Sequence, residues 1–407
     1  MMEWRKATVL AAAFMGVGAA PAQPQQQVTG PVSTYWMSAE TANGMFAGGG
    51  GRPDMSAMMS MAAGGGSPDQ VVHTLDLRLG SSTTPTGAPS AEHLPPAVLK
   101  AGQSLPLVTP VRGPAPATTG PMSFEGMEKP RGKMLIYWGC GDRARPGQPV
   151  VIDFAKLGPN SPMTNLQTIA VSPMKGPSAD RNATYGEWPN PRTRTRVPGD
   201  GSLIGEHLIR GNYTSDIRFA LAQGQDFLAP LTLTSNDPTE AGSVRLAWKP
   251  VAGSQAYLAN VVGGDGETMV MWSSSEVQGL AMGWRDYMAQ DDLHRLVAQK
   301  ALMNPQTTEC RVPAEVVQAA PSAMLSMIAF GGEANFSYPP RPADPKVPWN
   351  IEWAVKVRYK STTGGLLGMD MAAMADGDGE TPQAPPQKPS KGDKTRAVLR
   401  GLGSIIP

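Results

Sequence analysis

Short segments in which apolar and polar residues alternate recur along the chain and predict β-strands. The clearest runs from Val71 to Leu79 and has the period of two that is typical of a half-buried strand. Comparable segments between Gly- and Pro-containing turns lie at 32–37, 133–138, 150–154, 206–209, 213–221, 244–248, 256–262, 268–272, 324–331 and 353–359. Many short strands between turns, with little helix, favour a sandwich or barrel, so we expect a mainly β fold.

The chain has 407 residues, a length that predicts about two domains. We place two β-sandwich-like domains at 70–230 and 231–361. One stretch departs from the strand pattern: between 276 and 302, apolar residues such as Trp284, Met288 and Leu296 recur at helical spacing. The second domain is therefore expected to carry a helical insertion at 276–302.

The second domain resembles the fibronectin type III family and, more broadly, immunoglobulin-like sandwiches. In the part of the chain from about 231 to 360, Trp248-Lys249-Pro250 ends one strand and is followed by a turn and a strand that carries Tyr257. Such domains have this order of features, and the resemblance implies a two-sheet sandwich without a helix. The whole chain also resembles exported bacterial proteins of unknown activity, a resemblance that implies no activity for this one.

The two ends of the chain differ in composition from the strand-rich middle. Residues 1–22 have the order of a secretory signal: Arg5 and Lys6, an uncharged apolar run from Ala7 to Ala20, and the small residues of Ala20-Pro21-Ala22. Residues 23–69 are a low-complexity, Gly- and Met-rich segment with one possible strand at 32–37, and residues 362–407 are a predicted disordered tail. We expect export to the periplasm or the extracellular space, and the 14-residue apolar run is too short for an integral membrane protein.

The charge balance and the cysteines narrow the possible functions. Lys and Arg number 35 and Asp and Glu 34, and this balance argues against a nucleic-acid partner. The chain has two cysteines, Cys140 and Cys310, and an oxidising compartment favours a disulfide between them over a catalytic thiol at Cys140. We expect this disulfide to join the first domain to the second.

No cluster of residues in the sequence has the spacing of a catalytic, cofactor or metal site. The four histidines include no pair at i, i+2 or i, i+4, and Asp376–Glu380 fails the calcium-loop pattern at its sixth and twelfth positions. We assign no catalytic residue, no metal ligand and no cofactor. Two alternatives stay open. One is an extracytoplasmic hydrolase with residues scattered in sequence. The other is Cu(I) binding by methionines that cluster in the two Met-rich flanks: Met55, Met58, Met59, Met61, Met369, Met371 and Met374.

Three aromatic residues near the end of the second domain form a possible binding platform. Trp349 and Trp353 lie four residues apart, and Tyr338 precedes the proline-rich turn before them. Such residues either cap a core or present rings to a ligand. The sequence leaves the activity unknown and is most compatible with a non-catalytic binding or assembly module whose partner is another envelope protein or a glycan.

Overall fold

The computed structural model describes residues 26–44, 71–110, 132–156, 169, 171–190, 193, 195–265, 267–278 and 286–369. This part of the chain contains eighteen β-strands and two α-helices. The predicted mainly β fold class is confirmed. Residues 1–22, most of the Gly- and Met-rich segment and residues 370–407 lie outside the described residues.

A nine-stranded sheet runs through the molecule. Its strands in spatial order are β7 (Val150–Asp153), β6 (Lys133–Trp138), β14 (Thr268–Ser273), β13 (Ser254–Gly264), β16 (Met324–Tyr338), β18 (Trp353–Leu366), β2 (Ser33–Ala42), β3 (Val72–Ser81) and β8 (Thr184–Trp188). The β6–β14 and β2–β18 pairs are parallel, and the other neighbours are antiparallel.

Three smaller sheets and two helices complete the described part. The first sheet has the order β11 (Leu233–Pro238), β12 (Val244–Trp248), β15 (Glu309–Val312). The second has the order β10 (Ile217–Leu221), β9 (Gly205–Gly211), β4 (Ala91–Leu94), β5 (Leu105–Leu107). The third pairs β1 (Val28–Thr29) with β17 (Trp349–Asn350), and the helices are α1 (Gln290–Ala298) and α2 (Ala314–Ala319).

One hydrophobic core lies between the nine-stranded sheet and the three- and four-stranded sheets. Alternate residues of each strand point into it because successive side chains of a strand face opposite sides of the sheet. Met37 and Leu77 enter the core from the large sheet, Leu246 from the three-stranded sheet and Ile209 from the four-stranded sheet. We call the side of the large sheet that faces this core the inner face.

The outer face of the large sheet is covered in part by helix α1. Leu293 and Leu296 of α1 are buried against Leu258 of β13 and against Ile328 and Phe330 of β16. The helix is therefore amphipathic, with its apolar side on the sheet. It spans nine residues of the predicted insertion at 276–302, whose residues 279–285 lie outside the described part.

The expected boundary near residue 230 does not separate two sets of sheets. The nine-stranded sheet takes β2, β3, β6, β7 and β8 from before residue 231 and β13, β14, β16 and β18 from after it. The two halves of the chain thus share one sheet and one core. Their strand patterns are local, and nothing in them identifies a partner more than a hundred residues away.

Each of the two flanking segments contributes to a strand, and in the first of them the possible strand at 32–37 is confirmed as β2. β2 lies within 23–69 and sits between β18 and β3, with most of its residues buried. β18 continues to Leu366, so residues 362–366 of the predicted disordered tail belong to a strand, and residues 370–407 lie outside the described residues. The two strands pair with each other, and this long-range pairing stabilises both. Local composition does not predict such pairing.

No helix in the described ranges is long and apolar enough to cross a membrane.

Candidate functional site

The Tyr338 ring is an exposed aromatic group supported by a buried one. Tyr338 ends β16 and lies directly opposite Trp353, the first residue of β18. The two rings are stacked, with centroids 5.8 Å apart and planes 17° from parallel. Trp353 is only 7% exposed and belongs to the core, whereas Tyr338 is 48% exposed. The core side chain therefore fixes the orientation of the surface ring.

Trp349 is held beside this pair by its own contacts. It lies on β17, in register with Val28 of β1. Its indole Nε1 donates a hydrogen bond to the carbonyl oxygen of Pro339 at 2.9 Å. The Arg341 guanidinium lies 5.5 Å from the Trp349 ring centroid, within the range of a cation–π contact. Trp349 is thus a half-buried, oriented side chain.

Exposed apolar side chains surround these aromatics. The described part of the chain has eight exposed large hydrophobic residues, and four of them, Val28, Val32, Tyr338 and Val347, lie at this end of the sheet. We call these four residues together with Trp349 the end surface. The fold thus brings the three predicted platform residues together, but Trp353 supports the surface from inside the core.

Cys140 and Cys310 form the predicted disulfide. Their Cα atoms are 5.3 Å apart, and 170 residues separate them in sequence. Cys140 follows the end of β6 and Cys310 lies on β15, so the bond joins the nine-stranded sheet to the three-stranded sheet. Two hydrogen bonds from Arg311 Nη1 to the Asp142 carboxylate strengthen the same junction.

A chain of buried hydrogen bonds links two histidines that are 114 residues apart in sequence. His93 Nε2 lies 2.9 Å from His207 Nδ1, and His207 Nε2 lies 2.7 Å from the carbonyl oxygen of Leu203. A carbonyl only accepts, so the network assigns the His207 proton to Nε2, and its Nδ1 accepts from His93. His93 Nδ1 then accepts from the Tyr35 hydroxyl at 2.8 Å.

The imidazoles of His93 and His207 are neutral, and both ring nitrogens of each have a hydrogen-bond partner. Burial lowers the pKa of His207 to about 4, and burial together with the neighbouring His207 lowers the pKa of His93 well below its usual value. The pair has no third ligand for a metal, and in the described residues no group of three or more His, Cys, Asp or Glu side chains converges on one position. This chain of hydrogen bonds is therefore a structural link between the nine-stranded and the four-stranded sheets.

The outer face of the large sheet carries buried charges that the sequence did not single out. The charged residues are Glu40 of β2, Arg358 and Lys360 of β18, and Glu333 of β16. We call these four, together with the uncharged Ser38 of β2, the charged row. Lys360 Nζ lies 3.4 Å from the Glu40 carboxylate, and both side chains are more than nine-tenths buried. Such burial requires pairing, because an isolated charge is costly away from water.

Arg358 is enclosed by aromatic rings. Its guanidinium carbon lies 4.8 Å from the Trp36 ring centroid and 4.4 Å from that of Tyr287. Its Nε donates to Ser38 Oγ at 2.8 Å, and burial lowers its pKa. The two rings provide cation–π attraction to the guanidinium, and among the described residues no carboxylate lies within ion-pair distance of it.

The alternation along β2 and β18 indicates that these charged residues share a face, and charged side chains on a strand usually face solvent. They are buried instead because the segment around Met174 and Gly176, together with Tyr287, lies over them. Gly176 packs directly on the Trp36 ring, so closely that an added Cβ would lie 2.5 Å from a ring carbon. This cover comes from distant parts of the chain and has no local sequence pattern.

Comparison of the chain with protein-family models, with curated proteins and with solved structures gave no match. The described residues offer one exposed region with features of a binding site, the end surface, and one buried set of paired polar groups, the charged row.

Proposed function

We propose that this protein is an exported, non-catalytic binding or assembly module that docks another envelope protein through the end surface. The observation that carries the proposal is the exposed Tyr338 ring, held by stacking on the buried Trp353. A ring already fixed in the free protein loses little conformational entropy on binding. It therefore has the character of an interface anchor.

The composition of the end surface favours a protein partner over a glycan. Tyr, Trp and Arg are the side chains enriched at the centres of protein interfaces, and Tyr338, Trp349 and Arg341 occur here together. The neighbouring exposed side chains Val28 and Val347 offer apolar area and no hydrogen bonds. The polar side chains nearby, Gln26 and Thr29, already form hydrogen bonds within the chain.

Export is supported by two independent features. Residues 1–22 have the sequence of a secretory signal. A disulfide joins the only two cysteines of the chain, and such bonds persist in oxidising compartments. We place the mature protein in the periplasm or outside the cell.

We further propose that residues 231–366 are a fibronectin type III-like or immunoglobulin-like unit. Strands β11, β12 and β15 have the order A-B-E of such a sandwich, and β14, β13, β16 and β18 have the order C′-C-F-G. Trp248 and Tyr257, which carried the sequence resemblance, pack against each other with ring centroids 5.5 Å apart. The other strands of the nine-stranded sheet would then extend the C′-C-F-G sheet, with β6 and β7 beside β14 and with β2, β3 and β8 beside β18.

Site-specific photo-crosslinking in the native envelope tests the docking proposal. A photoreactive residue replaces Tyr338 in one variant and Met269 in a control variant. Met269 is similarly exposed, at 44%, but lies by strand register at the opposite end of the large sheet. We expect one discrete protein adduct from position 338 and none from 269, and Tyr338→Ser should weaken binding to that adduct partner at least tenfold. Equal labelling at both positions, or none at 338, would overturn the proposal.

A further inference from the structure

Strand β16 extends beyond its neighbour β13 at the end that carries Tyr338. The last pair between these two strands joins Gly331 to Ser254, whereas the pairing of β16 with β18 continues to Tyr338 and Trp353. No described strand pairs with the other side of β16 beyond Gly331. We call residues 334–338 the edge segment. This segment is a free sheet edge, and it leads directly to the ring that anchors the end surface.

The backbone groups that face the free side follow from the hydrogen bonds of β18. Alternate residues of a strand direct their N–H and C=O groups to opposite sides. Ser33 N donates to the Glu352 carbonyl oxygen, which shows that the even-numbered residues of β18 face β2. The odd-numbered residues of β18 therefore face β16, where they lie opposite the even-numbered residues of the edge segment. The N–H and C=O groups of Asn335 and Ser337 consequently point to the free side.

The side chains of the edge segment alternate between an apolar and a polar side. The even-numbered residues lie on the inner face, where Phe336 packs on Phe219 with ring centroids 5.1 Å apart. Asn335 and Ser337 lie on the outer face, and Asn335 is exposed. A strand that continues the sheet here needs the same alternation of apolar and polar residues.

The edge segment lacks the residues that usually protect a sheet edge. Natural proteins place charged residues or proline on exposed edges, because these residues disfavour pairing with another chain. The edge strands β5, β7, β10 and β11 follow this rule and carry, respectively, Pro106, Asp153, Arg218 and Asp237. Residues 334–338 have the sequence Ala-Asn-Phe-Ser-Tyr and contain neither a charge nor a proline. Their composition therefore favours pairing along this edge.

We propose that the docking partner supplies an extended segment that adds to the edge segment as a further β-strand. This inference rests on the proposed docking function and specifies the form of the partner at that site. The backbone of the added strand hydrogen-bonds to the N–H and C=O groups of Asn335 and Ser337. Its apolar side chains lie beside Phe336 and Tyr338, and its polar side chains lie on the outer face. Backbone pairing supplies affinity, and the alternating side chains supply specificity.

Two variants at position 335 test strand addition through the crosslink from position 338. Asn335→Pro removes the N–H that faces the free side and no hydrogen bond to β18, whereas Asn335→Ala, the matched control, keeps this N–H. We expect Asn335→Pro to lower the yield of the position-338 adduct in the native envelope at least tenfold. Asn335→Ala should change this yield less than twofold. Thermal unfolding of the purified variants shows whether both are folded.

A second crosslink tests the proposal without the proline variant. A photoreactive residue at position 335 should capture the same protein as one at position 338. Positions 335 and 338 are about 10 Å apart along a strand, so mass spectrometry should locate the two attachment sites within roughly five residues of each other in one partner segment.

The outcomes separate strand addition from docking. Equal position-338 adduct yields in the two folded variants would overturn strand addition and leave docking at the end surface intact. The same holds for the absence of an adduct from position 335, or for attachment sites in separate partner segments. Absence of an adduct from position 338 in the parent would overturn both proposals.

Discussion

His93 Nε2 and His207 Nδ1 are 2.9 Å apart and closed off from solvent between the nine-stranded and the four-stranded sheets. Uptake of a proton by either imidazole would place a positive charge away from water, and burial disfavours this charged form. The two rings are therefore neutral in the folded protein. This relationship makes stability depend on pH.

The free energy of unfolding should fall as the pH falls from about 6.5 through about 4. The pKa of His207 is about 4 in the folded protein and about 6.5 in an unfolded chain, so the unfolded state binds more protons in this window. The contribution of His207 is present in full above pH 6.5 and amounts to about 3 kcal/mol. Urea unfolding at pH 7.5, 6, 5 and 4 measures this loss.

Two variants separate this effect from general acid destabilisation. In the double variant His93→Phe and His207→Leu, the free energy of unfolding should fall less over the same pH range. His294→Gln, at an exposed position on α1, should behave like the parent. If the free energy of unfolding depended on pH equally in the double variant and the parent, the role of the histidine pair would be contradicted.

Loss of the disulfide should destabilise the protein substantially. Cys140→Ser combined with Cys310→Ser removes a cross-link that closes a loop of 170 residues. In the chain-entropy model such a loop contributes about 5 kcal/mol, and measured values are commonly lower. Guanidinium unfolding of the parent and the double variant gives the difference. Thiol titration of the denatured, unreduced parent should find no free thiol, and two free thiols would contradict the bond.

Two buried tyrosines should respond in opposite ways to removal of their hydroxyl groups. Tyr257 Oη accepts hydrogen bonds from Val251 N at 2.9 Å and from Ser254 Oγ at 3.0 Å. Tyr257→Phe leaves these buried donors unpaired and should cost about 1–3 kcal/mol. Tyr213 Oη is buried without a partner, so Tyr213→Phe should be neutral or stabilising. Thermal unfolding compares the stability of the two variants directly. A larger loss of stability in Tyr213→Phe than in Tyr257→Phe would be inconsistent with the described packing.

The glycine that covers the charged row should tolerate no side chain. In Gly176→Ala the new Cβ would lie 2.5 Å from a carbon of the Trp36 ring, so the ring that contacts Arg358 or the backbone at position 176 must shift. We expect a destabilisation of about 1–3 kcal/mol and altered tryptophan fluorescence. Gly141→Ala is a suitable control, because there the added Cβ meets only one atom, at 3.4 Å. Equal effects of the two variants would mean that Gly176 does not support the ring.

The mainly β class and the positions of most strands were predictable from the sequence because the period of two is a local property. The segments at 133–138 and 244–248, predicted from this pattern, match β6 and β12. The disulfide was predictable because the chain has only two cysteines. That their Cα atoms approach to 5.3 Å is a result of how the sheets pack.

Strand pairing and the burial of polar groups were decided by the tertiary structure alone. Ser38 and Arg358 are 320 residues apart in sequence, yet they lie side by side on β2 and β18. The alternation in each strand shows which residues share a face, but it carries no information about the partner strand or about what covers that face. The charged row and the His93–His207 pair could therefore not be predicted, because each depends on contacts between segments that local patterns treat as independent.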